Sequence, residues 1–262
     1  MIWGAPHRLA ALGFGLALVL AMTVAGFWFF VIRSTGTPLD LRQALQIYRQ
    51  GQGTGRSGAS GKLPPPGVYR YRTKGSEHLS IGIGRTYPVI TSMVVTNGTC
   101  TSMDWMPLEE HTEGLVACPE RGGGLTITST SSTEVIAGIT TNTLITCPST
   151  VYLLPPNPTT GERWSATCRS NGHPVELSGE IVGPATVDMA GRRIPALHTR
   201  LVFTFSGPER GTNPNNFWLD AKDGVILQEV ETADIAQQAG PFGSIHYDEA
   251  LTIALQSMTP LR

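Results

Sequence analysis

Charge is what this chain has least of. Only 15% of its 262 residues are Asp, Glu, Lys or Arg, and the formal net charge is −1. Nucleic-acid binding needs clustered Lys and Arg that displace counterions, so that class is excluded. Cysteine is also scarce, at four residues. None forms a C-x-x-C and no histidine stands at ligand spacing from one, which argues against a redox pair and a zinc site. A G-x-S-x-G nucleophile elbow is missing too. Gly55 to Lys62 looks like a phosphate-binding loop but fails in detail. Arg56 stands where the first glycine belongs, Leu63 replaces the Ser/Thr, and no strand precedes it. No internal repeat is visible.

Glycine and proline are plentiful, at 30 and 19 residues, and such frequent punctuation favours many short strands over long helices. One long apolar run stands apart. Leu9 to Ile32 carries no charged residue, and as a helix it would extend roughly 36 Å, enough to cross a hydrocarbon core of about 30 Å with some tilt. It is longer than the apolar part of a cleaved signal, and Phe27, Trp28, Phe29 and Phe30 occupy the place where small residues precede a cleavage site. The reading is an uncleaved transmembrane helix at residues 9–32 after a cytoplasmic stub at 1–8. Arg8 flanks one side and Arg33 and Arg42 the other, so charge does not orient it. The cysteines do. All four follow the run, an even number suited to an oxidising compartment, which places the C-terminal part outside the cytoplasm.

Thr37-Pro38 reads as a helix start, and Leu41, Ala44, Leu45 and Tyr48 recur at helical spacing, predicting a short amphipathic helix over about 38–49. Alone it is too short to be stable, so an interfacial or partner-binding helix and a frayed turn stand as equal readings. Gly51 to Gly67 is rich in Gly and Ser and ends in Pro64-Pro65-Pro66, predicting a linker that separates membrane and domain.

Beyond it the period is two. Val175, Leu177 and Ile181 alternate with Glu176, Ser178 and Glu180. Leu197, Leu201, Phe203 and Phe205 alternate with His198, Arg200 and Thr204, and Ile245, Tyr247, Leu251, Ile253 and Leu255 with His246, Asp248, Thr252 and Gln256. Such alternation means antiparallel strands with one buried face. Asn97-Gly98 signals a type I′ hairpin, and Asp223-Gly224 a turn in which glycine supplies positive φ. About a dozen strands over 67–262 are expected, mostly joined to sequence neighbours. This map selects one of three cysteine pairings, Cys100–Cys118 and Cys147–Cys168. Each closes a loop of about twenty residues, worth roughly 3 kcal/mol in the chain-entropy picture.

Candidates for chemistry are sparse. Glu109, His111 and Glu113 could share one strand face as a weak metal site, but a solvated hairpin tip is the preferred reading. Glu229 and Glu231 share a face, again read as solvated. His246 and Asp248 could join Ser206 or Ser257 in a triad only by spatial coincidence, so a surface pair is preferred. The Ser/Thr-rich stretch from Thr126 to Thr146 and the glycosylation-like Asn97-Gly98-Thr99 are read as exposed strand and turn. The aromatic candidates for lining a core or a cavity are Tyr69, Tyr71, Trp105, Trp164, Phe203, Phe205, Phe217 and Trp218. No metal and no cofactor are expected.

Gly161-Glu162-Arg163-Trp164, then Gly179 to Val187, then Phe217-Trp218-Leu219-Asp220 with Asp223-Gly224 resemble the β-meander of LolA-like lipoprotein carriers. The region from Gly67 resembles uncharacterised bacterial single-pass envelope proteins, through its Gly67-Val68-Tyr69 start, spaced cysteine pairs and Ser257-Met258-Thr259-Pro260 ending. The resemblance implies an all-β fold with a curved, half-barrel meander whose concave face cradles an acyl chain. The expected function is non-enzymatic binding of an apolar ligand, such as a lipid, by a membrane-anchored domain. The rivals are an envelope interaction or structural module with a filled core and a partner protein, and, more weakly, a hydrolase built on His246 and Asp248.

Overall fold

The structure, a computed structural model, describes residues 36–51, 63–136, 139–148, 150–238 and 243–262. The predicted transmembrane helix lies outside these residues. Among the described residues no helix is long and apolar enough to cross a membrane.

One helix and fourteen strands are described. The helix is α1 (Leu41–Gly51). The strands are β1 (Gly67–Leu79), β2 (Ile83–Thr86), β3 (Ile90–Asn97), β4 (Thr101–Leu108), β5 (His111–Pro119), β6 (Leu125–Ile136), β7 (Ile139–Thr146), β8 (Tyr152–Leu154), β9 (Arg163–Ser170), β10 (His173–Met189), β11 (Arg192–Phe205), β12 (Glu209–Leu219), β13 (Ile226–Gln238) and β14 (Ser244–Leu255). All pairings are antiparallel, and most join sequence neighbours.

The sheet closes on itself. β14 returns to β1 through nine register pairs, from Tyr71–Leu255 to Leu79–Tyr247. Twelve strands form the ring, while β2 pairs with β1 and β8 with β6. The expected half-barrel is therefore corrected to a closed barrel. Closure pairs two long edges that an open meander would leave exposed, and the strands responsible lie at opposite ends of the domain.

The wall has one weak seam. β7 and β9 share only the pairs Ile145–Ser170 and Thr146–Arg169. The disulfide Cys147–Cys168 sits beside that seam, and Cys100–Cys118 joins β5 to the residue preceding β4. Both are the expected pairs.

Alternation sorts the wall into two faces. Outward positions on β1 are Arg70, Arg72, Lys74, Ser76 and His78, all exposed. A lipid-facing barrel carries an apolar band there instead, which the outward face of β1 lacks. Inward residues at one end pack solidly. Leu177, Ile181, Leu219 and Ile253 share the buried core with Leu125 and with Val151, Leu153 and Leu154 from the β8 segment. A single glycine explains one aromatic placement. Trp164 lies across the ladder from Gly179, and any side chain there would collide with the indole.

One turn expectation changes in detail and the other holds. Asn97 and Gly98 do not have the positive φ that a type I′ turn needs; the β3–β4 turn is instead closed by Gly98 N–H donating to Cys100 O at 2.8 Å. Gly224 does adopt positive φ, at 74°.

The helix begins later than Thr37-Pro38 indicates, because Asp40 is its cap. Gln43 N–H donates to Asp40 Oδ1 and Asp40 N–H donates to Gln43 Oε1, both at 2.8 Å, a reciprocal box that satisfies otherwise unpaired amides. Pro38 bridges Leu108 instead. The helix is not a free juxtamembrane element. Ala44 and Tyr48 bury against Val68 and Val94 on the barrel's outer wall. The predicted Gly/Ser linker lies largely outside the described residues.

Candidate functional site

The half of the barrel opposite the packed end holds a cavity of about 280 Å³. Met93, Met103, Trp105, Leu115, Phe203 and Phe217 supply an apolar wall, while Glu113, Glu134, Glu229, Glu231 and Glu249 supply an acidic one. The volume is just below the roughly 300 Å³ at which ordinary small-molecule pockets begin, so it suits a small ligand.

Six glutamates converge here, because strands carry acids at inward positions. Glu77 on β1 and Glu249 on β14 are cross-strand neighbours, as are Ala233 and Glu249 one strand further on. Glu229 and Glu231 on β13 face Phe217 and Asn215 on β12. On the other wall, His111 on β5 pairs with Glu134 on β6, and Glu113 with Trp105 on β4.

The cluster divides into a charge-matched part and an unmatched part. In the first, Arg85 Nη1 donates to Glu77 Oε1 at 2.9 Å and Nη2 donates to the Val135 carbonyl. β2 pairs with β1 alone, so this side chain ties it to β6. His111 Nδ1 lies 2.6 Å from Glu77 Oε2 and 2.9 Å from Glu134 Oε1, and its Nε2 lies 3.2 Å from Glu113 Oε1. Burial alone would lower the His111 pKa, but hydrogen bonds to Glu113, Glu134 and Glu77 raise it well above the usual value. Carboxylates facing both ring nitrogens favour the protonated ring. Burial opposes ionisation of Glu77, yet His111, Arg85 and Tyr87 together hold its pKa below the ordinary carboxyl range. Burial raises that of Glu134.

The unmatched part is Glu229, Glu231 and Glu249, each less than a tenth exposed. Burial first, then the charges of Glu113 and Glu249, push Glu229 and Glu231 well above the ordinary carboxyl pKa. Burial and Glu113 bring Glu249 to about 8. Tyr247 donates to Glu249 Oε2 at 2.9 Å and Tyr87 donates to its other oxygen. Asn213 Nδ2 donates to Glu231. With its amide nitrogen turned toward the acids, Asn215 donates to Glu231 at 2.9 Å and Glu229 at 3.2 Å. Six carboxyls against Arg85 and His111 leave an excess of four, and buried charge of that size must be met by protons or by a cation.

Two trios bring ligand atoms within 4.8 Å of one another, Glu77–His111–Glu249 and Glu113–Glu231–Glu249. The first is a poor metal site, since both His111 nitrogens already face carboxylates and a protonated ring cannot ligate. The second is all oxygen.

Several sequence readings are corrected. His111 is fully buried in the barrel, not at a solvated hairpin tip, whereas Glu109 is exposed and accepts from Gln43. Glu229 and Glu231 face the lumen, because inward and outward phases on β13 are the reverse of a solvated acid face. Trp105, Phe203, Phe205 and Phe217 line the cavity. Tyr69 and Tyr71 do not; both are buried and donate to Pro65 O and Ile226 O. Trp164 packs edge-on against Tyr152, and Trp218 stacks on His198 at 4.3 Å, on the face opposite Phe217. His246, Asp248, Ser206 and Ser257 are all exposed.

Glu77, Arg85, Tyr87, Glu134, Asn213, Asn215, Tyr247 and Glu249 went unread as site residues. The signal was present for two of them. Glu249 occupies the apolar phase of Ile245, Tyr247, Leu251 and Ile253, and Glu77 that of Tyr69, Tyr71 and Leu79. An acid in the buried phase of a strand needs a partner inside.

Fold and site define a closed antiparallel barrel with a ligand-sized, acid-sided lumen. No family model and no curated protein matches the chain. Among solved structures it is similar to the hypothetical lipoprotein YmcC from Escherichia coli (K12), at 14% identity and a TM-score of 0.37, over 86% of this chain and all of that one. A likeness of that size carries no argument about function.

Proposed function

We propose that this is a non-enzymatic binding protein of the cell envelope whose barrel lumen holds a small ligand with an apolar body. The cavity carries the reading. A barrel of twelve strands can fill its interior with side chains, as this one does at one end, but the Met93–Trp105–Phe217 half leaves about 280 Å³ open. Apolar surface kept open inside a fold is the usual signature of a ligand pocket. The volume favours one short chain or ring system over a full acyl tail. Two disulfides support an oxidising, extracytoplasmic compartment, and the apolar run at 9–32 supports a membrane anchor. Exposure of His246, Asp248, Ser206 and Ser257 weighs against the hydrolase alternative.

Native mass spectrometry of the full chain, released gently from detergent, tests this. One retained small molecule per chain, or uptake of one added n-hexanol, is expected. A chain that stays bare in both cases rejects the proposal.

A further inference from the structure

We infer that the lumen selects an organic ammonium ion, with Glu113, Glu231 and Glu249 holding the protonated nitrogen and the Met/Trp/Phe wall covering its apolar body. The inference rests on the binding reading above and names the ligand's head group.

The geometry fits three donors. The oxygens of Glu113, Glu231 and Glu249 lie within 4.8 Å of one another. A nitrogen set among three such acceptors reaches all of them at about the 2.7–2.9 Å of charge-assisted hydrogen bonds, and –NH₃⁺ has three donors and no acceptor. The basic groups nearby are already engaged. Arg85 is spent on Glu77 and the Val135 carbonyl, and His111 on Glu77, Glu134 and Glu113.

A second observation, independent of the trio, points the same way. Glu229 is only 8% exposed and lines the lumen, yet among the described residues no cation is paired with it, and its one donor is the neutral amide of Asn215 in the turned orientation. Aromatic rings flank these acids. Trp105 is the cross-strand neighbour of Glu113, and Phe217 that of Glu229. Ring faces beside a carboxylate suit a cation with carbon attached to it. A divalent metal is the less favoured occupant. Calcium takes about 6–8 oxygens, and the wall beyond the acids is Met93, Met103, Trp105 and Phe217.

Calorimetric titration of the full chain in lipid nanodiscs, against empty nanodiscs, tests this with n-hexylammonium, n-hexanol, n-hexanoate and calcium chloride. Hexylammonium is expected to bind at least tenfold more tightly than hexanol, and hexanoate not at all. In Glu231→Gln/Glu249→Gln the two affinities should come within twofold of each other, with hexanol still bound. If that variant does not fold, Glu113→Gln, at a side chain 25% exposed, replaces it and should lose at least threefold in hexylammonium affinity alone. Equal binding of hexylammonium and hexanol by the unaltered chain overturns the ammonium assignment and leaves the binding reading standing. Calcium binding without hexylammonium binding also overturns it. No binding of any probe overturns both.

Discussion

His111 Nδ1 stands 2.6 Å from Glu77 Oε2, with neither side chain exposed to solvent. Two elements far apart in sequence, β1 and β5, thereby meet across the barrel through a single ion pair. Breaking such a pair on one side strands a buried charge, which costs about 3–5 kcal/mol. His111→Ala should lower unfolding free energy by that amount in urea titrations. Glu77 keeps Arg85 at 2.9 Å, but Glu77 and Glu134 are then left to share that one cation. Adding Glu134→Gln should recover part of the loss, because the excess carboxylate is then neutral. A loss below about 1 kcal/mol, or no recovery in the double variant, contradicts the ion-pair account.

Stability should fall as pH rises from 5 to 8. Glu249 has its pKa raised from 4.5 to about 8. Between those values the folded chain holds a proton that the unfolded chain has released, so raising pH disfavours folding. Glu229 and Glu231 act in the same direction. His111, raised in the fold by its carboxylates, contributes fully below 6.5 and loses that contribution as pH climbs through its elevated value. Glu77 opposes them at the acid end, since its lowered value makes its contribution disappear as pH drops below 4.5. Arg85, Tyr87, Glu113, Glu134 and Tyr247 complete the surroundings. Thermal unfolding across this range should show a maximum near pH 5, and Glu249→Gln should flatten the decline toward pH 8. A wild-type curve that rises from 5 to 8 refutes the assignment.

The two disulfides should differ in what their loss exposes. Chain entropy assigns each about 3 kcal/mol, at separations of 18 and 21 residues. Cys100–Cys118 lies at the end of a ladder that continues from Thr101–Ala117 onward. Cys147–Cys168 guards a seam of two pairs. Replacing Cys147 and Cys168 by Ser should speed amide exchange in β7 and β9 well beyond the global loss of stability. Replacing Cys100 and Cys118 should leave the local pattern in β4 and β5 unchanged. Identical exchange patterns in the two variants would count against a weak seam.

Docking of α1 depends on Ala44, which has no exposed surface against Val68 and Val94. Ala44→Glu places a carboxylate in that contact and should release the helix. Limited proteolysis should then cut between residues 41 and 51 at least tenfold faster, with the barrel's unfolding midpoint little changed. Unaltered protection would show that the helix is held otherwise, for example by Thr37 and Glu110, whose hydroxyl and carboxylate bond at 2.8 Å.

Alternation made the strands legible from residues such as Leu201, Phe203 and Phe205, and hairpin logic made both disulfides legible. Closure was not legible, because a period of two says which face is buried and is silent on which strand lies beside β1. Tyr71 and Leu255 are partners that no local pattern connects. The acid cluster was missed for a related reason. In an open sheet Glu229 and Glu231 would be solvated beside Glu249 of the adjacent strand, and only inside a closed ring do they face the distant Glu113. The docked helix shows the same limit. Ala44 and Tyr48 have the spacing of an amphipathic face, but the surface that receives them is assembled from β1 and β3.

Ala233 lines the lumen beside Glu249 and is 5% exposed. A larger side chain there would occupy the open volume without touching the packed end. The direct test is a titration of the unaltered chain and Ala233→Phe with the neutral fluorescent probe N-phenyl-1-naphthylamine, each in nanodiscs and corrected for empty ones. Saturable enhancement at one probe per chain is expected for the unaltered protein, with at least a tenfold loss of affinity in the folded variant. Equal responses from the two proteins, or none from either, would contradict a ligand-holding lumen.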